Sequence, residues 1–110
     1  MSQFVCTIYE NEESWAAADE ATTNQIMEGH RAFGTKYGAR IKGGEALQPS
    51  STAKTVRSGS VTDGPFLETK EALGGFYPIE ADSMDEAVEI AKEIPAEFGC
   101  VEVREVMVFN

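Results

Sequence analysis

Residues 3–9 alternate between the two sides of an extended chain. Phe4, Cys6 and Ile8 would face one side, and Val5, Thr7 and Tyr9 the other. This two-residue period predicts a β-strand, and its two fairly apolar sides suit a strand inside a sheet. The acidic run 10–13 ends the pattern, and Ser14 is expected to cap a short turn that carries Trp15.

From about residue 19 to residue 37 the period changes to that of a helix. Ile26, His30, Phe33 and Tyr37 fall at i, i+4, i+7 and i+11, which places them on one helix face. Gly38 follows directly, and glycine is a common residue just after a helix end. We therefore predict one long helix that turns this face toward the rest of the protein.

The middle of the chain is rich in turn residues. A short strand is predicted at about 40–42, and a loop at 46–52. Residues 54–57 and 60–62 predict two short strands around a tight turn, followed by the Asp-Gly-Pro-Phe turn at 63–66. Another strand is predicted at 76–79, with an edge or a bulge at Pro78 because proline has no N–H for the ladder.

A second helix is predicted after Ser83. Ser83 and Glu86 have the spacing of a capping box, in which each side chain bonds the backbone N–H of the other residue. The apolar face of this helix comprises Ala87, Ile90, Ala91 and Ile94. A last strand at 100–108 alternates apolar residues, with a slip near Glu105 that indicates a bulge.

The order β-α-β, a hairpin, then β-α-β predicts the fold class. It favours a single α+β domain over residues 1–110, with a ferredoxin-like antiparallel sheet and two helices on one face. The other face of the sheet then has no cover within the chain. Because small domains often complete their core by pairing, we expect a homodimer.

Charge limits the range of partners. Nine Lys and Arg against nineteen Asp and Glu give a net charge of −10, and the cations are scattered. Such a chain repels phosphate backbones and anionic membranes, so we expect no nucleic-acid and no membrane partner. We see no secretory start and no membrane span, and we expect a cytoplasmic protein. Cys6 and Cys100 are then reduced and partly buried, with a disulfide between them as the minor alternative.

Several segments resemble one known family. Residues 63–71, which begin with Asp-Gly-Pro-Phe, and residues 73–77 are similar to the signature of the YCII-related proteins that carry a DGPF motif. Residues 43–49, 52–57 and 101–104 match as well. The resemblance covers nearly the whole chain.

This resemblance implies both a structure and a range of activities. It implies a dimeric α/β barrel of ferredoxin-like units in a bacterial, cytoplasmic protein. The wider superfamily includes muconolactone isomerase-like, dehydrochlorinase-like and cofactor-free monooxygenase-like proteins. Some YCII-type relatives are thought to use a His–Asp pair in a pocket, and many members are encoded near extracytoplasmic-function sigma factors.

Two residues are the catalytic candidates. His30 is the single histidine, and its imidazole suits acid/base work near neutral pH; the alternative is a packed helix residue with satisfied nitrogens. Asp63 is either a carboxylate that the Gly-Pro bend aims into a pocket, or a side chain that braces its own turn. We expect both to line one pocket between the sheet and the long helix.

The ligand-binding candidates are Glu45, Arg57, Lys70 and Phe66. Glu45 follows two glycines, Arg57 is able to pair with it or with an acidic ligand, and Phe66 belongs to the turn motif. Lys70 lies in a charge run that is either a solvated loop or a lid for an anionic substrate. One histidine and unclustered carboxylates indicate no metal site, and nothing indicates a cofactor.

Three classes of function remain open, of which the third is a purely structural dimer that binds no ligand. The first is a cofactor-free enzyme, lyase-like or isomerase-like, that transfers protons on a small organic molecule. The second is a non-catalytic module that binds a small ligand or regulates sigma-factor signalling. An enzyme needs a titratable group exposed in its pocket, whereas a binding module does not.

Overall fold

The computed structural model describes residues 1–109. Its elements are β1 (Ser2–Asn11), α1 (Glu12–Ala17), α2 (Glu20–Lys36), β2 (Glu45–Ala46), a 3-10 turn (Ser50–Thr52), β3 (Lys54–Arg57), β4 (Ser60–Asp63), β5 (Glu71–Ala81), α3 (Met84–Ala91) and β6 (Gly99–Glu105). Four strands form one antiparallel sheet in the order β2-β5-β1-β6, which is the ferredoxin-like order. The predicted α+β class is confirmed, with α1 as a third, short helix.

The core lies between one face of this sheet and the helices α2 and α3. The alternation of β1 is as predicted: Phe4, Cys6 and Ile8 are buried, and Val5, Thr7 and Tyr9 are only half-buried on the other face. Phe4 lies opposite Ile79 on β5, and Phe33 and Ile90 pack against them from the two helices. The second sheet face has no helix on it in the described chain.

The two long helices begin at residues that the sequence indicates. The side chain of Asp19 accepts a hydrogen bond from the N–H of Thr22 at 2.7 Å, and Ser83 accepts from the N–H of Glu86 at 3.1 Å. Only half of the predicted capping box forms, because the Glu86 carboxylate accepts from the N–H of Asp82 and from Arg40 instead.

The cap of α1 differs from the prediction. Asn11 is the N-cap, and its side chain accepts from the N–H of Ser14 at 3.0 Å. The expectation that Ser14 caps this turn is therefore wrong. The strand continues to Asn11, so the helix begins earlier than the sequence pattern indicates.

The irregularity in β5 lies at Gly74 and not at Pro78. The register with β1 shifts between Ile8 and Tyr9, where Gly74 is the extra residue. The carbonyl of Pro78 accepts from the N–H of Lys42, and the N and O of one strand residue point to the same side. Pro78 therefore lacks an N–H on the side of β5 that faces residues 40–42. The strand predicted there is reduced to a single bridge, between Ile41 and Ile79.

The last strand is shorter than predicted. β6 ends at Glu105, and only the N–H of Val106 continues toward β1, at 2.8 Å from the carbonyl of Gln3. Cys100 is exposed and lies opposite Tyr9, whereas Cys6 is buried on the other sheet face. The two thiols are free, so the disulfide alternative and the expected partial burial of Cys100 are both wrong.

Strands β3 and β4 form a separate two-stranded hairpin. Its turn residues Ser58 and Gly59 have φ angles of 48° and 85°, which is typical of a type I′ hairpin turn. Most of its side chains are exposed, including Val56 and Val61. Among residues 1–109, no helix is long and apolar enough to cross a membrane.

Candidate functional site

A cavity of about 630 Å³ lies on the helix-covered face of the sheet. Its walls come from the end of β1, from α1 and α2, from the middle of β5 and from residues 44–49. This volume falls within the range of small-molecule sites. The fold thus places a ligand-sized space between the sheet and the long helix, where the helix period predicts a pocket.

Glu10 is a buried carboxyl group in this cavity. The residue is 9% exposed, and its Oε2 accepts a hydrogen bond from Nε1 of Trp15 at 2.7 Å. Burial raises the pKa of the Glu10 carboxyl above its ordinary range, and the bond from Trp15 offsets part of that rise. Burial therefore favours the protonated form of Glu10 more than it would in an exposed carboxyl group.

His30 reaches the same cavity from α2. Its Nδ1 lies 2.8 Å from the hydroxyl of Tyr77 on β5. Burial lowers the pKa of the imidazole below its ordinary value of 6.5, so the neutral ring is the main form at pH 7. Burial also raises the pKa of Tyr77, which therefore keeps its proton. With Nδ1 engaged by Tyr77, Nε2 is the ring nitrogen left for a ligand.

Glycines let residues 44–49 lie close against β5. A Cβ on Gly75 would lie 2.8 Å from the carbonyl oxygen of Glu45. A Cβ on Gly44, where φ is +148°, would lie 2.9 Å from Cδ1 of Tyr77. At Gly74 a Cβ would stand 3.5 Å from Oε1 of Glu10. Glycine at 74 thus leaves open space in front of the second carboxylate oxygen.

Glu12 ties the loop wall of the cavity to α1. Its Oε2 accepts from the N–H of Ser50 at 2.7 Å, and its Oε1 accepts from the Ser50 hydroxyl. These bonds lower the pKa of Glu12, which is therefore ionised at neutral pH. Glu45 also lines the cavity, from the short strand β2.

The structure brings two of the six sequence candidates together. His30 and Glu45 line the cavity, whereas Asp63, Arg57, Lys70 and Phe66 do not. The Asp63 side chain is 88% exposed at the end of β4, where strand pairing sets it opposite Lys54, and it bonds the ammonium of that residue at 2.5 Å. Asp63 therefore does not line the cavity that His30 lines, because the register of the hairpin sets Asp63 opposite Lys54.

The remaining three candidates are exposed. The guanidinium of Arg57 lies 5.5 Å from the ring centroid of Phe66, which is 66% exposed. Arg57 thus contacts the turn motif and not Glu45. Lys70 is exposed in the segment that leads into β5.

Sequence reasoning missed Glu10, Trp15 and Tyr77. A signal for Glu10 was present, because it continues the two-residue period of Phe4, Cys6 and Ile8. The acidic neighbours at 12 and 13 made Glu10 look like part of a solvated run. No sequence signal indicates the contact between Tyr77 and His30, since that contact depends on how α2 packs against β5.

The cavity lining contains one carboxyl group that is buried, Glu10, and one imidazole, His30. No group of three His, Cys, Asp or Glu side chains within residues 1–109 is arranged to hold an ion. Both pKa shifts favour the uncharged form of the group, because burial raises the pKa of the Glu10 carboxyl and lowers the pKa of the His30 imidazole. Such a pair can take a proton from one atom of a ligand and give one to another.

Comparisons with known proteins agree with this fold. The family model of the YCII-related domain matches residues 2–110. An uncharacterised protein of Rhizobium meliloti (strain 1021) is 36% identical over 92 residues, which cover 78% of this chain and 74% of that protein. A solved structure with a similar fold is 5-chloro-2-hydroxyhydroquinone dehydrochlorinase of Burkholderia phenoliruptrix AC1100, in complex with 2,5-dihydroxybenzoquinone. It has a TM-score of 0.54 and 20% identity, over 96% of this chain and 93% of that one.

Proposed function

This chain belongs to the YCII-related domain family, and we propose that it is a cofactor-free enzyme that moves protons on a small organic ring compound. The reaction class is isomerisation or elimination. His30 is the base, Glu10 is the acid, and Tyr77 positions the imidazole.

One observation carries this proposal: the buried carboxyl group of Glu10 and the half-buried imidazole of His30 line one cavity. Burial raises the pKa of Glu10 and lowers the pKa of His30, so the two values approach each other. General acids and bases work best when their pKa lies near the operating pH. Structural carboxyl groups more often pair with a cation, which Glu10 does not do here; its recorded bond is to a neutral indole.

The roles follow from the contacts. In the tautomer in which Nδ1–H of His30 donates to the Tyr77 hydroxyl, Nε2 is unprotonated and takes a proton from a C–H or O–H of the substrate. Oε1 of Glu10 donates a proton to a carbonyl oxygen or to a departing group, while Oε2 stays bonded to Trp15. Isomerisation moves protons alone. In elimination the electron pair of the broken C–H or O–H bond forms a double bond and the departing group leaves with its own bonding pair, so neither reaction requires an electron acceptor. Proton exchange with water then restores both groups.

The structural neighbour supports the ring compound as substrate class. It is by name a dehydrochlorinase of a chlorinated hydroxyhydroquinone, and its complex holds a dihydroxybenzoquinone. At 20% identity the likeness concerns the fold, so the substrate class for this chain is a proposal. The aromatic side chains of Trp15 and Tyr77 in the cavity lining suit a flat ring.

We also propose that the working form is a homodimer in the cytoplasm. The face of the sheet that carries Val5, Thr7 and Tyr9 has no helix on it in residues 1–109 and keeps partly exposed apolar surface. A second copy is the simplest cover for such a face, since isologous pairing buries the same patch twice. The exposed apolar residues of the β3–β4 hairpin add further surface for that contact.

The test uses two readouts on the purified protein. Chloride release from 5-chloro-2-hydroxyhydroquinone measures elimination, and deuterium uptake at ring C–H of a hydroxylated quinone in D₂O measures proton transfer. Glu10→Gln and His30→Gln should each lower the rates by about 10²–10⁴-fold. Asp63→Asn should leave them unchanged, because Asp63 lies outside the cavity.

Other outcomes separate the two classes of function. Binding of ring compounds without either reaction would favour the second candidate, a module that binds a small ligand or acts in regulation. If Asp63→Asn lost activity and Glu10→Gln and His30→Gln did not, the His–Asp pair would replace Glu10 and His30 as the leading catalytic hypothesis. The exposed Glu89 on α3 offers a control, since Glu89→Gln removes one charge far from the cavity lining.

A further inference from the structure

We infer that the ligand of this cavity is larger than one ring: a hydroxylated aromatic ring that carries an apolar side chain of several carbons. The ring lies between Glu10 and His30, and the side chain lies along Met27 and Ala16 at the open side of the cavity. The inference rests on the proposed function, because it concerns the same cavity and the same ring. It goes further by naming a second part of the substrate.

The first observation is the size of the cavity. Its volume is about 630 Å³, whereas a cavity of about 150 Å³ is large enough to hold benzene. A single hydroxylated ring would therefore leave most of the space to water. Because sites for small molecules usually bury most of the ligand surface, the space indicates a ligand with a second part.

The second observation is the deep side of the cavity, against the sheet. Glu10 is 9% exposed on β1, and Ala72 lies opposite it on β5 and also lines the cavity. Gly74 has no side chain to fill the space beside Oε1 of Glu10. These small residues leave room for a flat ring in front of the acid, where His30 reaches it from α2.

The third observation is the open side of the cavity, which is apolar. Met27 lines the cavity from α2 and is 52% exposed. It precedes His30 by three residues, so the two side chains are neighbours on one face of the helix. Ala16 lines the cavity from α1 and is also exposed. An apolar chain attached to a ring beside His30 would therefore cover Met27 and remove apolar surface from water.

The carboxylates around this side of the cavity are directed elsewhere. Both oxygens of Glu12 accept hydrogen bonds from Ser50. Glu45 pairs with Phe76, whose partner on β1 is Thr7, so the Glu45 side chain lies on the uncovered face of the sheet. The wall formed by α1 and α2 thus offers apolar contact, which suits a hydrocarbon chain better than a charged or strongly hydrated group.

The test compares four uncharged ligands that share one ring: resorcinol, 5-methylresorcinol, 5-pentylresorcinol and 5-(hydroxymethyl)resorcinol. Trp15 is the single tryptophan, so its indole N–H gives one NMR signal from the cavity wall, and titration of that signal yields a dissociation constant. Each buried CH₂ tightens binding by up to roughly fourfold. The pentyl compound should therefore bind at least roughly thirtyfold more tightly than the methyl compound. The hydroxymethyl compound should bind no more tightly than resorcinol.

Two methionines give a matched pair of variants. Met27→Gln keeps the length of the side chain but makes it polar, and it should reduce the gain of the pentyl over the methyl compound by at least roughly fivefold. Met84→Gln makes the same change at a residue of α3 that is 42% exposed and lies outside the cavity lining. It should leave the gain unchanged. Equal effects of the two variants would overturn the assignment to Met27.

Two neighbouring alanines of α1 test the place of the side chain. Ala16→Leu fills part of the cavity and should weaken binding of the pentyl compound at least roughly fivefold, with a smaller effect on resorcinol. Ala17→Leu adds the same bulk at an exposed residue outside the lining and should leave both ligands unaffected. An equal loss for resorcinol and the pentyl compound in Ala16→Leu would contradict the proposed placement.

Failure of this inference differs from failure of the proposed function. If resorcinol shifts the Trp15 signal and the pentyl compound binds no more tightly than the methyl compound, the second part of the ligand is wrong and the acid/base proposal stands. If none of the four rings shifts the signal at millimolar concentration, ring binding fails and the inference fails with it. If Met27→Gln instead converts a dimer to a monomer by light scattering and leaves the gain unchanged, Met27 belongs to a subunit contact, which also overturns the inference.

Discussion

The indole N–H of Trp15 donates a hydrogen bond to Oε2 of Glu10 at 2.7 Å. This contact joins the six-residue helix α1 to the end of β1. The helix follows the strand directly, and Asn11 is its N-cap. It satisfies one oxygen of a buried carboxyl group and leaves the other beside Gly74. Helix α1 thereby forms part of the cavity wall, and its Trp15 fixes the orientation of the Glu10 carboxyl group.

Replacement of Trp15 by Phe should show the worth of this bond. The aromatic contact with Phe98 is largely kept, but Glu10 loses its donor, so the free energy of unfolding should fall by about 1–3 kcal/mol. Urea denaturation of Trp15→Phe, Glu10→Leu and the double variant measures the coupling between the two side chains, since leucine has no oxygen to accept the indole N–H. Additive effects in this cycle would show that the bond contributes nothing.

His30 should make stability depend on pH. Its folded pKa lies below the unfolded value of 6.5, so between these values the unfolded chain binds more protons than the folded one. Stability from this group is therefore fully present above pH 6.5 and is lost as pH falls toward the folded pKa. Denaturation at a series of pH values should show that His30→Gln loses less stability than wild type on acidification. An equal loss of stability on acidification in the two proteins would contradict the lowered pKa of His30.

Much of the fold is predictable from the chain because local patterns agree with it. The alternation of Phe4, Cys6 and Ile8, the helix face of Ile26 and Phe33, and the hairpin around residues 58–59 each depend on near neighbours in sequence. The site is less predictable because it depends on register. Tyr77 meets His30 only once β5, β1 and α2 are in place, and no spacing along the chain encodes that contact.

The motif at 63–66 lies away from the cavity, although the sequence suggests a place beside it. Its form suggests a carboxylate fixed for catalysis, but Asp63 ends a strand and bonds Lys54 across the hairpin. The glycine in the motif has a structural reason of its own, since Gly64 has φ of +91° and its N–H donates to the carbonyl of Ala53 at 2.7 Å. The structure places this rigid turn on an exposed hairpin, outside the cavity lining.

Gly64→Ala and Gly34→Ala form a matched pair for that turn. A Cβ at either glycine meets nothing within 4 Å, so the difference between them is backbone conformation. Gly64→Ala should destabilise by about 1–3 kcal/mol because φ is positive there. Gly34→Ala, inside α2, should stabilise by about 0.5–1 kcal/mol. Thermal and urea unfolding measure both, and similar effects of the two changes would contradict the account.

The proposed homodimer predicts a mass of about twice 11.9 kDa by light scattering at micromolar concentration. Val5→Glu introduces a charge on the uncovered sheet face and should shift the protein toward monomer. Val88→Glu makes the same change on the partly exposed side of α3 and should leave the dimer intact. A monomeric wild-type protein would rule out the pairing.

The most direct test of the acid/base account is NMR titration of Glu10 and His30 in the folded protein. The single histidine gives one set of imidazole signals, and comparison with Glu10→Gln identifies the Glu10 carboxyl carbon. The account predicts a Glu10 pKa above its ordinary value of 4.5 and a His30 pKa below 6.5. A Glu10 carboxyl that titrates at or below 4.5, or a His30 imidazole that titrates at or above 6.5, would contradict it.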